Sequence, residues 1–307
     1  MSATTPGTAT VPTPAPAPPA AAHGAPRRHP LRPGRILLVA VLAIAAGYFL
    51  LPVYWLLIAA TKSTDKLNGS FGLWFDHPQL LDNLRHVFTY EDHIYLRWVA
   101  NSALYAGVGA TLATLLAAAA GFALAKYRFR GREAIFRIVL AGVLLPQTAL
   151  ALPLYLVFSQ LGLVNTYWAV LIPSIGSPFG VYLCRIYAES AVPDNLLEAA
   201  RVDGAHEGRI FFGLVLRIMS PALVTVFLFQ FVGIWNNYFL PLVMLSDQRK
   251  YPITLGLATW QTAADRVPEL IQYTIGGAFA SVIPLVIAML VLQRYWRTGL
   301  TEGSVKE

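Results

Sequence analysis

The chain alternates long apolar runs with short polar connections. Six runs, at residues 36–60, 98–125, 135–158, 167–187, 218–245 and 273–295, hold almost nothing but apolar and small side chains. A helix needs about 20 such residues to cross the hydrocarbon of a bilayer, so each run is long enough to span it. The pattern predicts an all-α, polytopic membrane protein with six transmembrane helices. Pro52 lies inside the first run, where a proline kinks a helix. Pro146 and Pro153 lie in the third and Pro173 and Pro178 in the fourth. In the second run Ala117, Gly121 and Ala125 put a small residue at every fourth position. That spacing lets two helices approach closely, and simple alanine richness would produce it too.

The polar connections differ from one another. Residues 61–97 and 246–272 are mixed in charge, and 159–166 carries none. Residues 198–221 concentrate Arg201, Asp203, His206, Glu207 and Arg209 in a chain otherwise poor in charge. Pro193 and Asp194 suit the first turn of a helix, where a missing N–H does no harm and a carboxylate complements the dipole. Gly204 suits its end, because glycine takes the left-handed conformation without penalty. Beyond it Ile210, Phe211, Leu214, Val215 and Ile218 recur at helical spacing. The expectation is a short helix, a glycine turn and an amphipathic helix lying on a membrane surface. Either this is a solvated loop in which Glu198 pairs with Arg201, or it is an element that another protein grips.

Composition agrees with the membrane reading. Of 307 residues 56% are hydrophobic and 13% charged, with a mean hydropathy of +0.55. The net charge of +7 does not point to nucleic acid, because the basic residues flank the apolar runs. Sixteen Lys and Arg fall on one side of the six-span map and seven on the other. The richer side is cytoplasmic by the positive-inside rule, so both termini are expected inside a cell membrane that the chain crosses several times. The 198–221 stretch then faces the cytoplasm. Residues 1–35 form an Ala/Pro-rich leader ending in Arg27, Arg28, Arg32 and Arg35, too poor in large apolar groups to pack and expected to be disordered. Residues 36–307 form the transmembrane domain.

Several chemistries drop out. No Gly-Lys pair exists to build a phosphate-binding loop, so any ATP must be bound by another chain. Cys184 is the single cysteine and can form no intrachain disulfide. His77, His86 and His93 lack the companions of a metal site, and no metal is expected. No Asp, Glu, Lys or His lies mid-span, where an ion-coupled carrier or an intramembrane hydrolase needs one. No catalytic residue, and no enzyme activity, is expected. The spans do hold Gln147, Thr148, Ser174, Ser177, Gln230, Asn236 and Asn237, with Trp235 and Tyr238 beside the last two. Amides and hydroxyls next to aromatic faces suit a polyol, and they equally suit hydrogen bonds between helices. Gln147, Ser177, Trp235, Asn236 and Asn237 are the candidates for a translocation path.

The run Glu198-Ala199-Ala200, then Asp203-Gly204-Ala205, with Phe211 and Pro221 beyond, resembles the EAA loop of ABC importer permeases. Asn165-Thr166, Pro178-Phe179, Arg185, Trp235-Asn236 and the ending Gly299-Leu300-Thr301, Gly303, Val305-Lys306 look like the maltose-type carbohydrate permeases. Leu216-Arg217 stands where that family often has Leu-Pro, which predicts a less bent entry to the next span. The resemblance implies an EAA coupling loop at about 188–217, with Glu198, Ala199, Ala200, Asp203 and Gly204 docking on an ATPase. It implies four kinds of partner: a second, homologous permease, an ABC ATPase dimer that binds the ATP, an extracytoplasmic solute-binding protein, and a sugar or short oligosaccharide as cargo. Residues 300–307 are expected to touch the ATPase dimer. Two other readings remain: a permease for another solute, such as a polyamine or a phosphorylated polyol, and a non-transporting membrane scaffold or enzyme.

Overall fold

A computed structural model describes residues 33–301, and the side chains of 33, 36, 68 and 294–301 are outside the description. The expected leader and the residues beyond 301 therefore lie outside the described residues. The chain divides into two compact units, Met1–Leu50 and Leu51–Glu307. In the first, the described residues begin helix α1, Pro33–Thr61, and show Leu37, Leu42, Ile44 and Phe49 bare on its surface. An apolar helix with its side chains uncovered is suited to lipid.

The second unit is all helix among the described residues. It comprises α2 (Thr64–Gly69), α3 (Leu80–Lys126), α4 (Arg132–Val143), α5 (Gln147–Gln160), α6 (Trp168–Ser174), α7 (Pro178–Ala191) and α8 (Asp194–Val202). There follow α9 (Glu207–Ile210), a π-turn (Phe211–Val215), α10 (Leu216–Ile218), α11 (Ser220–Trp235), α12 (Phe239–Met244), α13 (Ile253–Ala263) and α14 (Glu269–Thr301). Among the described residues four helical stretches are long and apolar enough to cross a membrane, and six are if two bent pairs each count as one span.

The six apolar runs are helical, but three of them break. The 135–158 run turns by 105° between α4 and α5. Pro146, which has no N–H to donate, sits at the corner in extended conformation. The 167–187 run stops at Ser174 and restarts at Pro178, with the Ser177 hydroxyl accepting from Gly180 N at 3.1 Å. The 218–245 run ends its long helix at Trp235 and resumes at Phe239. Its entry also corrects an expectation. The 207–218 helix meets α11 at 81°, although Leu216-Arg217 carries no proline. The bend comes two residues later, where Met219 leaves helical geometry and Pro221 opens the new helix.

The 61–97 connection is less loop-like than its polarity suggests, since α3 begins at Leu80. Glu91, Asp92 and His93 interrupt α3 with positive φ. From Ile94 the helix continues unbroken to Lys126. This stretch threads both buried clusters: Tyr95, Trp98, Tyr105, Ala106 and Ala110 belong to one, Ala117, Ala118 and Phe122 to the other. The small-residue spacing has its use here. A Cβ on Gly121 would stand 2.6 Å from Cys184 Cβ and 2.7 Å from the Arg185 backbone N, so α3 and α7 touch backbone to backbone.

Candidate functional site: a cavity at the helix breaks and a loop clamped to α3

The three breaks converge. A cavity of about 450 Å³ is lined by Gln147 and Thr148 at the start of α5, Ser174 at the end of α6, Gln230 on α11 and Asn237 in the last gap. Leu145, Gly176 and Pro178, all at breaks, also line it. The first N–H groups of a helix and the last C=O groups have no partner within it. At membrane depth such groups are tolerated only where protein covers them or a polar cavity receives them. The breaks and the polar cavity are therefore two views of one feature.

The predicted path residues fall into two groups. Gln147 and Asn237 line the cavity, and Asn237 Oδ1 also accepts from Leu240 N at 3.3 Å, capping α12. Trp235 is buried, 2% exposed, with its ring stacked on Phe231 at 5.8 Å, and it does not line the cavity. Asn236 Nδ2 donates to Val232 O at 2.9 Å, back along its own helix. Ser177 serves as the cap of α7. Among Trp235, Asn236 and Asn237, only Asn237 lines the cavity. Among the described residues no cluster of His, Cys, Asp and Glu is placed to hold a metal ion.

The second candidate is the loop from α8 to α10. α8 starts at Asp194 behind Pro193, and Gly204 follows its end at φ +80°. His206 Nδ1 then accepts from Arg209 N at 3.2 Å and caps α9. Leu197 and Ile210 are buried on the inner side of the loop beside Phe122, Cys184 and Ala188. Glu198, Ala199, Asp203 and Gly204 lie on its exposed side and Ala200 is half-buried. A Cβ on Gly204 would meet nothing within 4 Å. Val202, 87% exposed, adds a bare apolar side chain to that face. The sequence reading passed over Val202, since nothing in a short amphipathic helix marks which valine stays outside.

Arg201 does not pair with Glu198. Its Nε donates to Glu207 Oε1 at 2.8 Å and its Nη2 to Oε2 at 3.4 Å, a two-pronged grip on one carboxylate. The Tyr127 hydroxyl donates to Glu207 Oε2, and the Arg201 guanidinium lies 6.0 Å from the centre of the Tyr127 ring. Next to Tyr127, Lys126 Nζ donates to Asp194 Oδ1 at 2.8 Å. The carboxylates respond. The Arg201 hydrogen bond, then that of Tyr127, holds Glu207 below the usual range, and the Lys126 hydrogen bond does the same for Asp194. Burial and the facing Glu207 push the Tyr127 phenol up. Lys126 and Tyr127 hold the loop from the end of α3, behind its exposed face.

A polytopic helical protein with a polar cavity at its helix breaks and a polar surface loop tied to its central helix has the build of a membrane transport subunit. This chain belongs to the family of binding-protein-dependent transport system inner membrane components, whose pattern matches residues 110–298. It is 36% identical over 272 residues to an arabinooligosaccharides transport system permease protein of Halalkalibacterium halodurans, covering 88% of this chain and 96% of the relative. It is 32% identical to a lactose transport system permease protein of Rhizobium radiobacter over 88% of this chain and 96% of the relative. Its fold is similar to a chain in the crystal structure of a bacterial ABC transporter involved in the import of the acidic polysaccharide alginate. That match has a TM-score of 0.74 and 25% identity, and covers 85% of this chain and 95% of the other.

Proposed function

We infer that this chain is the membrane permease subunit of an ABC importer that carries a sugar or short oligosaccharide. The observation that carries the reading is the convergence of three helix breaks on one polar cavity, in a family member whose relatives are named as sugar permeases. Gln147, Thr148, Gln230 and Asn237 offer amides and a hydroxyl to a polyol crossing the membrane, beside the apolar walls of Ile234, Phe239 and Leu240. The chain crosses the cell membrane six times with both termini in the cytoplasm, each bent pair counting as one span. It performs no chemistry. ATP is bound and hydrolysed by a separate ATPase dimer, a homologous permease completes the pathway, and an extracytoplasmic binding protein delivers the sugar. The exposed side of α8 and Gly204 docks on the ATPase.

The test is co-purification of the ATPase together with uptake of labelled sugar. Gly204→Asp forces a side chain into left-handed backbone, at roughly 1–2 kcal/mol, and puts a charge where the partner must sit. Insertion is expected to stay normal, while ATPase association and uptake fall together. Glu198→Ala is expected to weaken both less, and Gly204→Ala least. Normal uptake by Gly204→Asp at normal expression would sink the docking role.

A further inference from the structure

The same helix that meets the coupling loop at one end holds a different loop at the other. Near its outer end, four α3 side chains grip the 248–253 segment and a fifth, Tyr95, reaches α14. Trp98 Nε1 donates to Gln248 O at 2.9 Å, and Asn101 Nδ2 to Arg249 O and Tyr251 O, both at 2.9 Å. The Tyr105 hydroxyl donates to Lys250 O at 2.9 Å. Ser102 Oγ accepts from Ile253 N at 2.8 Å, and Tyr95 donates to Gly277 O at 2.7 Å. Every one of these bonds goes to backbone, so the loop's course is fixed whatever its own side chains are. Asn165 holds the other flank, with Oδ1 accepting from Ser246 N and Asp247 N at 3.1 and 3.0 Å.

Between the two grips the helix has no proline and no break. At about 1.5 Å per residue, residues 94–126 form a rod of roughly 50 Å, longer than the hydrocarbon layer of about 30 Å. Its sides are packed against α7 and α11 more than against any other elements. The inner contacts, Lys126–Asp194 and Tyr127–Glu207, are partly exposed and worth little to overall stability. They do, however, join both limbs of the coupling loop to two consecutive residues at the tip of one rod. A displacement of the loop that keeps both contacts carries the tip with it.

We propose that residues 94–126 of α3 are a strut that transmits ATPase-driven movement of the 194–207 loop to the 248–253 loop on the far side of the membrane, with Lys126 and Tyr127 as positioning residues at its driven end. This deepens the permease reading above and rests on it. In its resting geometry the strut fixes the outer loop. When the coupling loop moves, the outer loop is repositioned by its backbone rather than by side-chain chemistry.

The test uses the whole transporter, with partner permease, ATPase and binding protein, reconstituted in vesicles. Arg249→Cys supplies a label site on the exposed outer loop for a membrane-impermeant maleimide, and buried Cys184 is replaced by serine. The labelling rate is expected to change on adding ATP. Tyr127→Phe removes a single hydroxyl. With membrane insertion unchanged, it is expected to shrink the ATP-dependent change at position 249 about fivefold or more. Asn101→Leu, or the milder Tyr105→Phe, should do the same from the other end. Because the two grips act in series, the double variant should lose no more than the worse single one, whereas independent packing defects would multiply. Multiplying losses overturn the strut. So does a labelling rate that ATP leaves unchanged, or one whose response survives Tyr127→Phe. Failure of the unmutated chain to bring down an ATPase at all would instead sink the permease reading.

Discussion

Helix α3 and the spans beside it are made of similar residues and behave in opposite ways. From Ile94 to Lys126 α3 carries no proline, buries small residues along α7 and runs without interruption. The 135–158, 167–187 and 218–245 runs are as apolar, but each stops and restarts within the membrane-spanning length. Proline stands at or just after each break, at Pro146, Pro178 and Pro241. The difference teaches that hydropathy sets whether a segment can enter the bilayer, while proline and small-residue placement set whether it becomes a rod or a wall. The rod is packed tightly along its sides. The broken spans present loose backbone ends and amides to a cavity.

Three experiments would break or sharpen this contrast. The largest effect is expected from Gly121→Leu. The new Cβ would fall within 3 Å of the Cys184 and Arg185 backbone, where no side-chain rotation relieves it. Overpacking of a close site costs roughly 1–3 kcal/mol, and a leucine against backbone belongs at the top of that range. The expected outcome is loss of the monodisperse peak on size exclusion in detergent. Gly107→Leu, on the same helix with open space around it, should behave as the unmodified chain. Equal behaviour of the two variants would mean that α3 is not held by close packing.

The next effect concerns the walls. Asn237→Leu removes an amide that lines the cavity, and Asn236→Leu removes one bonded along its own helix. Losing a hydrogen bond to cargo of about 1.4 kcal/mol is tenfold, so uptake efficiency for the cognate sugar should fall about tenfold for Asn237→Leu. Asn236→Leu should change it less than about twofold by the same reasoning. If Asn236→Leu is the more damaging, the cavity is not the path.

The smallest effect is a predicted flat response. Glu207 and Asp194 are both held below the ordinary carboxylate range by Arg201, Tyr127 and Lys126. A depressed acid contributes its stabilisation above the unfolded value and loses it as pH falls through the folded one. The clamp between α3 and the loop should therefore be constant from about pH 8 down to 6, with loss only at more acid pH. Binding-protein-stimulated ATPase activity across that range is the measurement. A titration midpoint between about 6 and 7 would show that some other group governs the loop.

Much of this molecule is legible in its sequence, and the gaps have physical causes. The apolar runs, the helix opening near Asp194 and the left-handed Gly204 follow from local rules of burial, capping and backbone sterics. The breaks were only half visible. Pro146 was in plain sight, but a proline inside an apolar run is compatible with a kinked span as well as with a corner of 105°. Which neighbours can receive the freed backbone groups decides between them, and that is tertiary information. Trp235 shows the opposite failure. An aromatic beside two amides suggests a sugar platform, yet helical spacing sets the ring on Phe231, four residues back in α11. The Arg201 partner is not legible in the sequence, because spacing along one helix offers Glu198, whereas the Gly204 turn brings Glu207 back within reach. Tyr127 has no sequence signature at all. Its role depends on two segments 80 residues apart ending at the same place.

The outer grip on α3 also has a consequence for how the chain is made. Trp98 and Tyr105 find their backbone partners 150 and 145 residues further along, and Tyr95 finds its own 182 residues on. At a synthesis rate of about 5–20 residues per second, α3 is out of the ribosome on the order of ten seconds before those partners exist. Throughout that interval an indole, two phenols and an amide wait without the groups they will bind. A nascent chain that stops short of residue 248 closes off none of them, and one that stops short of residue 277 still leaves the Tyr95 phenol without its partner.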